Sequence, residues 1–291
     1  MSKKRIAIQG LALTVLISGF LLVPPARAHL GVDEQIEVLD KLIEAKPTDA
    51  TLFVRRGELH RIHRDWKNAE NDYLHARKLD PELLTVDYCM GRMKLEAGDP
   101  EAARKYLDRY LSKRPNDSLA RTIRGRARVE LGDSLGAAAD FTAALANSQE
   151  GGRRPEVYLE RARALMSAGS ENLDQALEGL EEGLESLGGP VALDMYALEL
   201  EIGAKRYDAA LRRIDKLAAG SVRKEPWLIR KGAIQEAAGR KAAAIRSYRA
   251  ALVAIEALPA SRRQNNAVHR LESEAVAALS RLESNEHAPQ Q

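Results

Sequence analysis

The sequence predicts an all-α fold, a solenoid of antiparallel helix pairs stacked one behind the next. Three observations carry this. Aromatic residues make up only 4% of the 291-residue chain, while Ala, Leu, Arg and Glu are abundant, a balance that favours helix over sheet. Pro47, Pro81 and Pro115 are evenly spaced, and Gly57, Gly91 and Gly125 keep the same interval of thirty-four positions. A fixed period of this length marks a stack of equivalent supersecondary units. Between these marks a short turn recurs as Arg64-Asp65, Gly98-Asp99 and Gly132-Asp133, so each unit breaks once, into two helices.

Read in order, residues 1–28 have the layout of a secretory signal peptide. Lys3, Lys4 and Arg5 precede an apolar run from Ile6 to Val23, then Pro24 and Pro25, then Ala26-Arg27-Ala28 before His29. The competing reading is an uncleaved anchor, because the run is close to the roughly 20 residues that span a bilayer. The prolines and the Ala-x-Ala site sit where processing needs them and favour cleavage. No later segment is apolar enough to cross a membrane, so the expected mature protein is exported, periplasmic or secreted, and free of membrane contact. The formal charge of the whole chain is +3. Residues 1–28 hold Lys3, Lys4, Arg5 and Arg27 and no acid, so removing these four charges leaves −1. A nearly neutral chain lacks the basic surplus that displaces counterions from nucleic acid, and no nucleic-acid partner is expected. Cys89 is the only cysteine. It forms no intramolecular disulfide and lies far from the place of a lipoprotein's lipid-bearing cysteine.

This repeating pattern resembles the tetratricopeptide repeat (TPR) family. In the first copy the family's small residue of helix A falls on Gly57, that of helix B on Ala69, the aromatic on Tyr73, the second small residue on Ala76 and the terminating proline on Pro81. The second copy keeps Gly91, Ala103 and Pro115. The third gives Gly125, Ala137, Phe141 and Ala144, and a later one Gly232, Ala244, Tyr248 and Ala251. Small side chains facing each other let two helices approach, the ring fills the space one turn on, and proline closes helix B for want of an amide hydrogen. The resemblance implies a right-handed superhelix. Its units are expected at 50–83, 84–117, 118–151, 155–190, 191–224 (weak) and 225–258, with a capping helix at 29–49, another at 261–283 and a disordered tail at 284–291. The fourth copy carries Ala162, Ala176 and Leu180 but has a longer turn than the others, and the fifth rests on Tyr207 and Ala210. Apolar stripes at Ile36, Leu39, Leu42 and Ile43, and at Val268, Leu271, Ala275, Leu279 and Leu282, suit end caps, which solenoids require.

Copies one and three place arginine before the glycine and aspartate before the aromatic, Arg56 with Asp72 and Arg124 with Asp140. Copy two has Met90 and Tyr106 there, so both partners are absent together. An ion pair between helices A and B explains this. The resemblance also directs attention to the groove lined by the A helices. There the residue after the small one is Glu58, Arg92, Arg126, Arg163, Leu198 and Ala233 in turn. Three successive arginines make a ladder able to hold carboxylates or phosphates bidentately, with Tyr88 as an aromatic contact. Alternatively Arg92 pairs with Glu96 and Arg126 with Glu130, each four positions on. Arg163 has Ser167 in that place. The asparagines and lysines of carboxylate-clamp TPR domains are not found.

The histidines of His60-Arg61-Ile62-His63 share a helical face, with Asp65 beside them, but the repeat makes Asp65 a turn and cap residue and His60 a packing residue. A metal site would need a third ligand such as His75. His29, as a mature N-terminus, has the amine and ring to chelate copper, with no second histidine placed to help. No Gly-rich phosphate loop, Gly-x-Ser-x-Gly elbow or His-Glu-x-x-His motif occurs, and Cys89 reads as a packed thiol. The expected function is a non-enzymatic scaffold, without cofactor or metal, that binds a protein or peptide partner in the bacterial cell envelope. The alternatives are a metal-dependent hydrolase using His60, His63 or His29, and a membrane-tethered receptor held by residues 6–23.

Overall fold

The structure, a computed structural model, describes residues 31–148 and 152–284. The expected signal peptide, His29 and the tail after Ser284 lie outside the described residues. Helix α1 (Val32–Ala45) precedes six hairpins. These are α2 (Ala50–Ile62) with α3 (Trp66–Leu79), α4 (Thr85–Glu96) with α5 (Pro100–Lys113), and α6 (Ser118–Glu130) with α7 (Ser134–Ala146). Then come α8 (Pro155–Ala168) with α9 (Leu173–Leu187), α10 (Val191–Gly203) with α11 (Tyr207–Gly220), and α12 (Glu225–Ala237) with α13 (Lys241–Glu256). The short α14 (Ala260–Arg263) and α15 (Asn266–Ser284) close the series. Successive helices from α1 to α13 pack on one another, α15 packs on α12 and α13, and no strand occurs among the described residues. The fold is an all-α helical solenoid. The longer fourth turn contains a 3-10 turn, Ser170–Asn172.

The repeated sequence marks have local causes. Asp49, Asp65, Asp99, Asp117 and Asp133 are the residues preceding α2, α3, α5, α6 and α7, and each side chain accepts a backbone N–H of the first turn at 2.9–3.2 Å. These caps satisfy donors that the helix itself leaves unpaired. Just before three of the turn caps or their equivalents the chain enters the left-handed region at Gly98, Gly132 and Gly239 (φ 81°, 78° and 71°), where a side chain is strained. Pro47, Pro81 and Pro115 each fall at the second position past the end of a helix.

The small residue of helix A has a different cause from the one expected. Gly57 faces the ring of Tyr73 rather than a small residue, and a Cβ added there would lie 2.6 Å from Tyr73 Cε1. Gly125 meets Phe141 at 2.8 Å and Gly232 meets Tyr248 at 2.8 Å in the same way. In the second hairpin Leu107 replaces the ring, and Gly91 is as crowded, at 2.6 Å. The fourth hairpin reverses the arrangement. Tyr158 is on helix A and fully buried, and the glycine it rests on, Gly183, is on helix B. Ala69, Ala76, Ala103, Ala137, Ala144, Ala244 and Ala251 are all buried at the helix contacts.

The expected pairs within hairpins are formed, and they extend further. Arg56 holds Asp72 through two hydrogen bonds, 2.6 and 2.9 Å, and its remaining Nη1 donates to Asp40 of α1 at 2.7 Å. Arg124 holds Asp140 at 2.6 and 2.8 Å and Asp108 of α5 at 2.8 Å. Each arginine thus ties its own helix B to the preceding one. The second hairpin, which lacks the pattern, is tied with the charges exchanged. Asp87 on α4 accepts from Arg77 of α3 at 2.5 Å and from Arg109 of α5 at 2.8 Å.

Candidate functional site

The residues singled out in the groove lie on successive A helices. Glu58 is on α2, Tyr88 and Arg92 on α4, Arg126 on α6 and Arg163 on α8. Three adjoining cavities run along them. The first, about 420 Å³, is bounded by Val38, Leu39, Leu42, Val54, Tyr88 and Cys89. The second, about 240 Å³, shares Tyr88 with the first and adds Arg92, Leu95, Thr122 and Arg126. The third, about 420 Å³, shares Leu95 and Arg126 with the second, and Val129, Phe141, Arg163 and Ala164 complete its walls. Shared walls set the three side by side in a row along the A helices, with largely apolar linings.

The arginine ladder pairs across repeats. Arg92 donates to Glu58, and Arg126 makes an ion pair with Glu160 at 3.0 Å, each partner one repeat away. The alternative pairing with Glu96 and Glu130 is not what forms. Glu96 is taken by Arg61 of the preceding hairpin at 2.5 Å. Successive A helices present equivalent positions side by side, so a residue one repeat away competes well with one a helical turn away. Glu58 also accepts the Tyr73 hydroxyl at 2.5 Å and a weaker contact from Arg61 at 3.3 Å. Burial, reinforced by that hydrogen bond to Glu58, pushes the Tyr73 ionisation upward. Arg163 stands apart. It is exposed, lies over the ring of Tyr196 at 5.4 Å, and has no ion pair among the described residues.

Tyr88 is half-buried, 5.5 Å from Tyr110 and under the guanidinium of Arg92 at 5.8 Å, and burial raises its pKa against the opposing pull of Arg92. Cys89 is buried beside it. Burial first, and Glu58 second, push its thiol up to about 12, which leaves it protonated and unreactive at neutral pH.

The histidines diverge. His60 packs 3.8 Å from Asp65 and 3.9 Å from Asp72, His63 turns to Asp33 at 3.4 Å, and His75 stacks on Phe53 with centroids 4.2 Å apart. Among the described residues no three His, Cys, Asp or Glu side chains gather as a metal site would need. His29 lies outside them. Asp65 is the cap that the repeat implied, accepting Asn68 N at 3.2 Å.

Sequence reasoning missed Glu160, Tyr196 and the cavity walls Leu95, Val129 and Ala164. Glu58 with Arg92 and Arg126 with Glu160 sit one repeat apart with opposite charge, a signal that was present in the spacing.

No protein-family model matches this chain, and no curated protein matches it. Among solved structures it is similar to a tetratricopeptide repeat protein from Parabacteroides merdae, with a TM-score of 0.50 and 17% identity over 84% of this chain and 92% of that one. It is also similar to PilW, a type IV pilus biogenesis factor, with a TM-score of 0.52 and 16% identity over 65% of this chain and 86% of that one. At such identities the likeness is one of fold, and the fold of this chain is TPR-like.

Proposed function

We propose that this protein is a binding scaffold with no chemistry of its own, which holds a protein or peptide partner in the groove along α2, α4, α6 and α8. The reading also places it in the bacterial cell envelope after removal of residues 1–28. The observation that carries the binding role is the row of adjoining cavities, whose linings present Val38, Leu42, Leu119 and Val129 to solvent at 40–60% exposure. Apolar side chains gathered in a concavity are a common mark of a binding surface. No helix among the described residues is long and apolar enough to cross a membrane.

The test is a pull-down from envelope extract with residues 29–291 beside the Val129→Trp variant. Val129 is 49% exposed, so the larger ring fills the third cavity without entering the core. Partners held by the wild type and lost from the variant support the groove, and equal capture by both sinks it. Mass spectrometry of the expressed protein's N-terminus checks export. His29 is the expected first residue, and Met1 would replace cleavage with an anchor.

A further inference from the structure

We infer that the groove selects an internal acidic residue of its partner, flanked by an apolar side chain, and that Arg163 reads the acid in the third cavity, as Arg55 and Arg154, also without an ion pair among the described residues, line the first and second. This rests on the groove being the binding surface, and it narrows what the groove takes.

Most of the charge in the groove is already paired. Arg92 is paired with Glu58, although its buried Nε has no hydrogen-bond partner, Arg126 is paired with Glu160, and Glu96 with Arg61. These arginines brace one repeat against the next, and recruiting Arg126 would leave Glu160 without its ion pair. Among the charged side chains that line the third cavity, Arg163 and Glu130 are left without an ion pair among the described residues. The guanidinium carbon of Arg163 lies over the Tyr196 ring, 5.4 Å from its centre, and the side chain makes no ion pair among the described residues. Its N–H groups match a carboxylate bidentately. Beside it is a 420 Å³ cavity walled by Leu95, Val129, Phe141 and Ala164, large enough for an aliphatic or aromatic side chain. Low-dielectric walls strengthen the attraction of a lone cation for an anion next to them.

Glu130 closes the C-terminal end of α6 on the same cavity. It repels a second acid, so the groove favours one acidic residue over an acidic run. The row of cavities favours an internal residue over a chain terminus. The second cavity adjoins the third at Leu95 and Arg126 and the first at Tyr88, which gives neighbouring residues of a bound chain further surface along the A helices.

The experiment is selection of a random dodecapeptide library on residues 29–291, displayed with both peptide ends joined to carrier protein so that no free C-terminal carboxylate is offered. The same selection is run on Arg163→Gln, Glu130→Gln and Val129→Trp. Enriched peptides should carry one Asp or Glu next to Leu, Ile, Met or Phe. For the strongest, measured by fluorescence anisotropy, Arg163→Gln should weaken binding about tenfold or more and Arg163→Lys should recover part of it. Glu130→Gln should tighten binding and relax the preference for a single acid. Peptides that are lost on Val129→Trp but lack an acid, or bind Arg163→Gln as well as wild type, overturn the acidic preference and leave the groove standing. Peptides indifferent to Val129→Trp overturn both readings, and an absence of enrichment overturns this one.

Discussion

In the third hairpin one carboxylate is held by three arginines. Asp140 is 1% exposed and meets Arg124 at 2.6 Å, Arg128 at 3.0 Å and Arg121 at 3.4 Å. In the fifth hairpin one arginine holds three carboxylates. Arg213 reaches Asp194 and Glu201, both on α10, at 2.8 Å, and Glu181 of the preceding hairpin at 2.5 Å. The shared group is on helix B in both cases but of opposite sign. The helix starts differ in step. Five of the helices α2–α7 begin with an aspartate cap, whereas none of α8–α13 has a side-chain cap hydrogen bond. At the cap positions of α11 and α13 stand Arg206 and Arg240, which reach back to Asp174 at 2.5 Å and Asp208 at 2.6 Å. At the helix starts, therefore, the first half uses short polar side chains within the helix, whereas α11 and α13 of the second half carry arginines that join one hairpin to the one before. One backbone plan accommodates either, because packing of the helix faces supplies most of the stability and polar groups need only be satisfied.

This comparison can be broken, the largest effect coming from the charge clusters. Arg213→Ala leaves Asp194 and Glu201 buried, with Lys216 at 3.2 Å from Asp194 as the remaining cation, and should cost about 3–5 kcal/mol. Arg124→Ala leaves Asp140 two arginines and should cost less, about 1.5–3 kcal/mol. Urea denaturation of both variants measures the difference, and equal losses would show that redundancy around Asp140 gives no protection.

The glycines come next. Gly125→Leu drives a side chain into Phe141 and should cost about 1–3 kcal/mol by overpacking. Gly203, at the end of α10, has open space where a Cβ would lie, so Gly203→Ala should gain about 0.5 kcal/mol. Thermal melts with shifts of the same sign would refute the proposed crowding at Gly125.

The smallest contrast concerns the helix starts. Asp133→Ala removes a cap and should cost about 1 kcal/mol. Arg240→Ala removes an exposed pair and should cost about 0.5 kcal/mol or less, falling further in high salt. A salt-insensitive loss at Arg240 would mean that the residue acts by packing instead.

Much of the first half was legible in the sequence because its marks recur at a fixed interval, Pro47, Asp65 and their equivalents being imposed by helix ends and Gly57 and its equivalents by the side chain packed against them. The pairing of Arg56 with Asp72 was legible because both partners vanish together in the second copy. What replaces them there, Asp87 between Arg77 and Arg109, was not, since a search for one arrangement of charges does not find its inverse. The same limit hid Arg213. For the groove arginines the sequence offered a ligand-binding ladder or, alternatively, pairing along one helix. The acids that Arg92 and Arg126 meet instead lie on parallel helices one repeat away. The apolar cavity beside Arg163 arises from several helices meeting and has no linear signature.

Arg56 and Arg124 lie two repeats apart, as do Asp40 and Asp108, and Asp72 and Asp140, and the acid Asp87 takes the shared role between them. The first three hairpins thus have a chemical period twice the geometric one, as a lattice doubles its cell when two kinds of atom alternate. Excising residues 84–117 would keep the helical register but set Leu74 where Asp108 now serves Arg124. Excising residues 50–117 would bring Asp40 to that place and restore the match. An array built this way gains or loses units by recombination most readily in twos.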